Sequence, residues 1–255
     1  MDVTDRRCLK KWLKALGKNE PDELWLDFIS QKDLPPLSFS NEVSAVYSSA
    51  IEGNSIDLNS YLRSKTRGQN ISFKAKEYAE IDALIEAYGY AQKYALNEKN
   101  LLTAHSILAA PLLSKAGRGR YRTQPMAVYS RHGIEYVAIE PEFVPEAMKE
   151  LFAGIRVSKQ DALDVAEVFY QAALIHLVFV HIHPFADGNG RAARLLEKWF
   201  LASRLGREAW HIQSEAYYKE HQAAYYKNIK IGLNYYTLDY DRSVPFLTML
   251  VKSLA

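Results

Sequence analysis

Apolar residues recur along most of the chain at the three- and four-residue spacing of a helix face. Leu9, Trp12 and Leu16 predict a first helix that Gly17 ends, and a second is expected from Asp22 to Ile29. Further helices are predicted at 72–96, 99–113 and 162–182. The last is apolar almost all round, which is typical of the buried centre of a helical domain.

A third helix is predicted after the break at Pro35-Pro36, with Ser40 as its cap and a span from about Asn41 to Glu52. Gly53 should end it. Glu52 then lies in the last turn, where a negative charge opposes the helix dipole by about 0.3–1 kcal/mol. Taken alone, such a residue most often faces water.

One segment has the character of β-structure. In MAVYSRHGIEYVAI, two short β-prone runs flank a turn-like Ser-Arg-His-Gly, so a hairpin is predicted over about 125–139. A hairpin by itself is marginally stable, and it should therefore lie against the helical body or be mobile. The predicted fold class is mostly α with one β-hairpin.

Composition restricts the class of protein without naming it. The 255 residues carry a net charge of +2, which gives no bulk sign of a nucleic-acid or membrane binder. One cysteine allows no internal disulfide, and the charged N-terminus lacks the apolar core of a signal peptide. We therefore expect a cytoplasmic location, with neither membrane nor nucleic acid as a partner.

The densest chemistry lies in the stretch HPFADGNGRAAR, at 183–194. Proline disfavours a helical conformation for the residue before it, so His183 is expected to leave the buried helix extended, at the mouth of a loop. Gly188 and Gly190 allow close approach of a ligand to the backbone. A new helix is expected near Arg191, and a glycine loop that leads into a helix N-terminus is a natural anion site.

Two arginines at that helix N-terminus oppose the dipole, which suggests an anionic partner. Arg191 and Arg194 are three residues apart and can share one side of the helix. Asp187 lies among these cations, and a divalent metal bridging it to phosphates would suit the pattern. A zinc pair formed by His181 and His183 is a weaker alternative, since no third ligand is evident in the sequence.

The same stretch matches the HPFx[DE]GNGRxxR signature, and the chain is therefore similar to Fic-domain proteins. The segments LLTAHSILAAPLLSKAGRGRYRTQPMAVY and SEAYYKEHQAAYYKNI extend the likeness over roughly 95–245. The resemblance implies a Fic-type helical bundle around a central buried helix. It divides the chain into an N-terminal helical region at 1–94 and a core at 95–255, with a flap hairpin at about 118–139.

Most Fic enzymes transfer AMP from ATP to a protein hydroxyl, and the resemblance assigns roles on that basis. His183 would be the general base, Asp187 would hold Mg²⁺, and Arg194 would bind the γ-phosphate. The implied catalytic residues are His183 and Asn189. The implied nucleotide-binding residues are Phe185, Gly188, Asn189, Gly190, Arg191, Arg194, Tyr225 and Tyr226, with the two tyrosines beside the adenine and Phe185 as a packing anchor of the loop.

The hairpin resembles the family's flap, which aligns the target segment by strand addition. The candidate docking residues are Met126, Ala127, Val128, Tyr129, Glu135, Tyr136 and Val137. An ordinary surface hairpin is the alternative. For the two tyrosines, packing in the core is as good an interpretation as a nucleotide contact.

The third helix also resembles the [ST]xxxE[GN] inhibitory motif of Fic proteins, through Ser48, Glu52 and Gly53. In such proteins the glutamate pairs with the second arginine of the signature, here Arg194. Because this motif precedes the core in the same chain, the resemblance implies the class II, self-contained type of inhibition.

The function predicted from the sequence is a protein adenylyltransferase with ATP and Mg²⁺, acting on Ser, Thr or Tyr of a target protein and on itself. Three alternatives stay open: a deAMPylase, in which Glu52 positions water, a transferase with another nucleotide donor, and a nucleotide-binding regulatory module without catalysis. The family also admits homo-oligomers.

Overall fold

The computed structural model describes residues 3–31, 33–67, 74–130, 133–160 and 163–254. The helices in these ranges are α1 Leu9–Leu16, α2 Pro21–Ser30, α3 Leu37–Ile51, α4 Leu58–Arg67, α5 Ala75–Ala91, α6 Glu98–Leu108, α7 Val144–Gln160, α8 Val165–Ile182, α9 Asn189–Leu205, α10 Ser214–Glu220, α11 Gln222–Ile229 and α12 Val244–Lys252. The strands are β1 Ala127–Ser130 and β2 Gly133–Val137, and short 3₁₀ turns lie at Pro141–Phe143, Arg207–His211, Tyr235–Thr237 and Tyr240–Arg242. The prediction of a mostly α fold with one hairpin is confirmed.

Helix α8 is the centre of the bundle, as its apolar character predicted. It packs against α9 along its length, and against α7, α12 and α2 on its other sides. Its length and hydropathy would also suit a membrane span, but 83% of its residues are buried by the rest of the protein. The predicted span began at residue 162, which lies outside the described residues, and Asp164 caps the observed start by accepting from the N–H of Glu167.

The third helix begins one turn earlier than predicted. Helix α3 starts at Leu37 with Pro36 as its N-cap, so the prediction that Ser40 caps it is wrong. A proline suits the start of a helix because its missing N–H has no partner there and its φ is already fixed. Ser40 instead lies inside the helix and its hydroxyl contacts His211 Nδ1 at 2.9 Å. The predicted end is confirmed, with Gly53 at a φ of +95° after Glu52.

The helices predicted at 72–96 and 99–113 are α5 and α6, each shorter than expected. Residues 72 and 73 lie outside the described part of the chain. Helix α6 stops at Leu108 because Pro111, three residues on, cannot donate to the helix and would clash with the preceding turn.

The hairpin is antiparallel, with Ala127 opposite Val137 and a bulge between Val128 and Tyr129. Residues 131 and 132, which fall in the predicted turn, lie outside the described residues. The hairpin lies against the segment that follows α11. The N–H of Val137 donates to Leu233 O at 3.0 Å, and Val137 forms a parallel bridge with Asn234. These bonds supply the support that an isolated hairpin lacks.

Candidate active site

His183 caps α8 in the left-handed conformation, with φ 52° and ψ 58°. The prediction of an extended backbone is therefore wrong. Its physical basis holds in part, because Pro184 still removes His183 from the right-handed region. The N–H of His183 makes the last bond of the helix, to Phe179 O at 3.0 Å, and the left-handed backbone then ends the helix. A non-glycine residue at positive φ costs free energy, and such residues concentrate at functional sites.

Arg122 holds this corner and was not among the predicted site residues. Its Nε donates to His183 O at 2.8 Å, its Nη1 donates to Gln124 O at 3.0 Å, and its Nη2 donates to Ile139 O. Its own N–H donates to Pro184 O at 2.8 Å. The arginine thus joins the end of α8 to the base of the hairpin. The signal in the sequence is the Gly-x-x-Arg segment that ends at this residue.

Phe185 anchors the loop from below, as expected. The side chain is fully buried and stacks on His105 with ring centroids 3.5 Å apart. The Asn189 amide closes the loop over it: Oδ1 accepts from Phe185 N–H at 2.9 Å, and Nδ2 donates to Phe185 O at 2.8 Å. Both polar groups of the Asn189 side chain are therefore used to shape the loop.

Gly188 is the N-cap of α9, at a φ of +79° that only glycine adopts cheaply. The first intrahelical bond runs from Ala192 N–H to Gly188 O at 2.9 Å. The N–H groups of the residues before Ala192 accordingly point out of the helix end, where an anion is favoured. Asp187 lies beside this end, exposed, with Oδ1 accepting from Gly188 N–H at 2.6 Å.

The two arginines of the loop have different surroundings. Arg191 is nearly buried and lies 3.4 Å from a carboxylate oxygen of Glu80. Arg194 is fully buried, and its Nη2 lies 2.7 Å from Glu52 Oε1. The ion pair expected from the inhibitory motif is therefore present.

Ser48 completes the contact between α3 and α9. Its Oγ accepts from Arg194 Nε at 2.8 Å, and its main-chain oxygen accepts from Nη2 at 3.0 Å. The Glu52 carboxylate lies so close to Gly190 that a Cβ at that position would collide with Oε1. An acidic group from α3 thus covers the very end of α9 that suits an anion.

A cavity of about 180 Å³ opens above this helix end. Its walls come from the end of α3, the flap, the end of α8 and the loop after it, and α11 with the segment that follows it. The lining residues are Glu52, Val128, Glu135, Tyr136, Val180, His181, His183, Asn189, Gly190, Tyr225, Tyr226, Ile229, Lys230 and Gly232. The walls are mainly apolar. The histidine, the glutamate and the glycine end of α9 therefore line one cavity.

His183 can act as a base in this cavity. Its Nδ1 lies 3.3 Å from Val180 O, and since a carbonyl only accepts, Nδ1 carries the proton and Nε2 has a free lone pair. Burial lowers the pKa of His183, and this effect outweighs the hydrogen bond to Val180 O, which raises it. The ring is neutral at neutral pH, as a general base requires.

Both tyrosines of α11 line the cavity, but they are used differently. Tyr225 is almost fully buried, and its hydroxyl is within 3.2 Å of Arg194 Nη1. Tyr226 is 40% exposed and donates to Ile51 O at 2.9 Å. Tyr225 therefore both packs in the core and lines the cavity.

The flap residues divide between an exposed group and an anchored one. Tyr129 and Val137 are exposed, while Tyr136 is buried and donates from its hydroxyl to His181 O at 2.7 Å. Because Val137 N–H already bonds to Leu233 O, it is not available to an incoming strand. Met126 precedes β1, where its carbonyl accepts from Ala138 N–H at 3.0 Å.

The fold and site define a helical protein in which a helix end suited to an anion, a neutral histidine and an acidic side chain face the same cavity. Residues 95–201 match the Fic/DOC family model, so this part of the chain is a Fic domain.

Curated relatives carry the same family name. The chain is 29% identical over 216 residues to a protein adenylyltransferase Fic of Nematostella vectensis, which covers 75% of this chain and 48% of the relative. It is 30% identical over 154 residues to protein adenylyltransferase fic-1 of Caenorhabditis elegans, which covers 58% of this chain and 29% of the relative. The chain thus spans half or less of the length of these relatives.

Solved structures share the fold. A Fic family protein from Desulfovibrio desulfuricans superimposes with a TM-score of 0.75 at 22% identity, over 97% of this chain and 72% of that one. A Fic domain containing signaling protein from Bacteroides thetaiotaomicron gives 0.70 at 21% identity, over 93% and 95%. These likenesses establish a common helical architecture.

Proposed function

We propose that this protein is an adenylyltransferase that moves AMP from ATP to a hydroxyl side chain of a target protein, and that Glu52 inhibits it. The observation that carries the proposal is the Arg194–Glu52 ion pair, at 2.7 Å, whose glutamate lines the same cavity as His183. The relatives named protein adenylyltransferase support the same reaction class.

His183 would take the proton of the attacking hydroxyl on its free Nε2. The hydroxyl oxygen forms a bond to the α-phosphorus, the bond to the β-phosphate breaks, and pyrophosphate leaves. The N-terminal N–H groups of α9 stabilise the charge that grows on the α-phosphate oxygens. Positioning and charge stabilisation supply most of the rate in such transfers.

Asp187 is the candidate ligand for Mg²⁺. Among the described residues no group of three or more His, Cys, Asp and Glu side chains converges on a metal. One exposed carboxylate beside phosphate oxygens is a common arrangement for Mg²⁺, which keeps waters and substrate oxygens as its other ligands. Mg²⁺ would neutralise phosphate charge there.

Glu52 competes with ATP for Arg194. In the proposed active state the γ-phosphate takes the place of the Glu52 carboxylate, and the triphosphate can settle over Gly190. While Glu52 stays, its charge repels the phosphates and its oxygen fills the space above Gly190. ATP is then bound in an unproductive position or excluded.

The proposal is tested with labelled ATP and purified variants. Glu52→Gly should raise AMP incorporation into target or into the protein itself, and His183→Ala in that background should abolish it. Glu42→Gly is the matched control, since it removes a carboxylate of the same helix whose ion pair with Lys65 lies away from the cavity. An inert Glu52→Gly protein that binds ATP normally would overturn the proposal.

A second activity rests on Glu52 and His183 lining one cavity. In a deAMPylase, the glutamate would position a water for attack on the AMP–protein bond. AMP-modified target incubated with the unmutated protein and with Glu52→Gly separates the two activities, because removal of AMP would then require Glu52. Loss of all nucleotide chemistry in every variant would favour a binding module.

A further inference from the structure

Arg194 has a buried partner that neither the loop signature nor the inhibitory motif includes. Ser48 and Glu52 hold its Nε and Nη2, both from the side of α3. Tyr225, on α11, holds Nη1 through its hydroxyl, at 3.2 Å. The guanidinium is therefore fixed from two helices.

The direction of the hydrogen bonds beyond Tyr225 follows from the chemistry of the groups. A guanidinium only donates, so the Tyr225 oxygen accepts from Arg194. The tyrosine proton then goes to His176 Nε2, which is 3.0 Å away and is its other recorded partner among the described residues. His176 Nδ1 carries the second proton and donates to Glu197 Oε2 at 2.8 Å.

This series of hydrogen bonds ends at the carboxylate of Glu197, which has further partners. Glu197 also accepts from the Tyr218 hydroxyl, at 2.9 Å to Oε2 and 3.1 Å to Oε1, and from Ser214 at 3.3 Å. The side chains of His176 and Glu197 are fully buried. Burial also raises the pKa of Tyr225, which keeps its hydroxyl protonated and able to donate.

We propose that Glu197, His176 and Tyr225 form a positioning chain that holds Arg194 for the γ-phosphate of a nucleoside triphosphate. The inference rests on the function proposed above. When Glu52 leaves, Arg194 keeps Ser48 and Tyr225 as partners, so its position does not depend on the inhibitory pair. The positioning chain thus holds Arg194 in both the inhibited and the active state.

The positioning chain of Glu197, His176 and Tyr225 should affect the binding of nucleoside triphosphates but not of diphosphates. Tyr225→Phe keeps the ring on the cavity wall and removes the hydroxyl that accepts from Nη1. In a Glu52→Gly background we expect this change to weaken ATP binding about tenfold, the effect of losing one hydrogen bond to a charged group. ADP binding should change little, because ADP lacks the γ-phosphate.

The measurement is calorimetric titration of ATP and of ADP into Glu52→Gly, with and without Tyr225→Phe. Tyr170→Phe in the same background is the matched control, since that tyrosine is equally buried and its hydroxyl donates to Asp5 O, away from the cavity. Thermal melting of each variant reports whether it is folded.

A double-mutant cycle shows whether Tyr225 acts through Arg194. In an Arg194→Ala background, Tyr225→Phe should have no further effect on ATP affinity. Equal ATP affinity with and without the hydroxyl overturns the proposal, and so does an equal loss for ATP and ADP. These binding results stand apart from the proposed function, which fails separately if Glu52→Gly binds ATP yet transfers no AMP.

Discussion

Arg194 and Ser48 meet through two hydrogen bonds, one to the serine hydroxyl at 2.8 Å and one to its main-chain oxygen at 3.0 Å. One turn later on α9 and one turn earlier on α3, Lys198 donates to Ser44 Oγ at 2.6 Å. Helices α3 and α9 are therefore joined antiparallel by buried polar contacts at successive turns. These contacts hold α3 on α9, so that under the proposed inhibition the Glu52 side chain would leave Arg194 while α3 stays in place.

Ser48→Ala should destabilise the protein. The change leaves the buried Nε of Arg194 without its acceptor, which costs about 1–3 kcal/mol. Urea unfolding measures the loss. Ser253→Ala is the control, since it removes only a local bond to Leu250 O near the C-terminus. Equal stability of the two variants would show that the Ser48 hydroxyl contributes nothing to the contact between the helices.

Lys198 and Glu215 form a fully buried ion pair, at 2.7 Å, and Tyr88 donates to the same carboxylate at 2.5 Å. Lys198→Met leaves the Glu215 charge uncompensated, and we expect a loss of about 3–5 kcal/mol in the free energy of unfolding. The double variant Lys198→Met with Glu215→Leu should lose less, because neither charge is then buried. A double variant less stable than the single one would contradict this account.

Gly188→Ala should be costly where Gly89→Ala is not. At Gly188 the positive φ alone costs an alanine about 1–2 kcal/mol, and its Cβ would lie 3.0 Å from Leu108 Cδ1. Gly89 lies within α5 with open space around the added Cβ, so alanine there should stabilise by about 0.5–1 kcal/mol. Opposite shifts in denaturant midpoint are expected, and a neutral Gly188→Ala would contradict the strain.

Acid should destabilise the fold through two histidines that are buried uncharged. Burial lowers the pKa of His105 and of His181 to about 4, against 6.5 in the unfolded chain. Between these values the unfolded chain binds protons that the folded protein does not, so stability falls as pH falls. At about 1.4 kcal/mol per unit, each histidine contributes a loss of about 3 kcal/mol by pH 4.

The free energy of unfolding between pH 7 and pH 4.5 checks this dependence. His105→Gln should reduce the slope by about one proton, or about 1.4 kcal/mol per pH unit, in the lower part of that range. An unchanged slope would mean that His105 takes up its proton without unfolding. The variant also reports on the loop, since His105 Nε2 contacts Asp187 O at 2.9 Å.

Local features were predicted well because they depend on neighbours in the chain. The buried α8, the stop at Gly53 and the glycine loop all follow from side-chain pattern within a few turns. The conformation of His183 was not predicted, because two local rules act there. Proline excludes the right-handed region but leaves both extended and left-handed backbone open, and the carbonyl of His183 is held by Arg122, 61 residues away, which local rules do not include.

The sequence by itself determined the candidate site loop, because its histidine, its glycines and its arginines are contiguous and the helix end brings them together. The pair between Glu52 and Arg194 was inferable only through a resemblance, since the two residues are 142 positions apart. Only the tertiary structure decided that Tyr225, His176 and Glu197 form a series of hydrogen bonds that starts at Arg194. Hydrogen bonds between helices that are distant in the sequence depend on which side chains face each other when the helices pack. Helical periodicity alone does not contain that information.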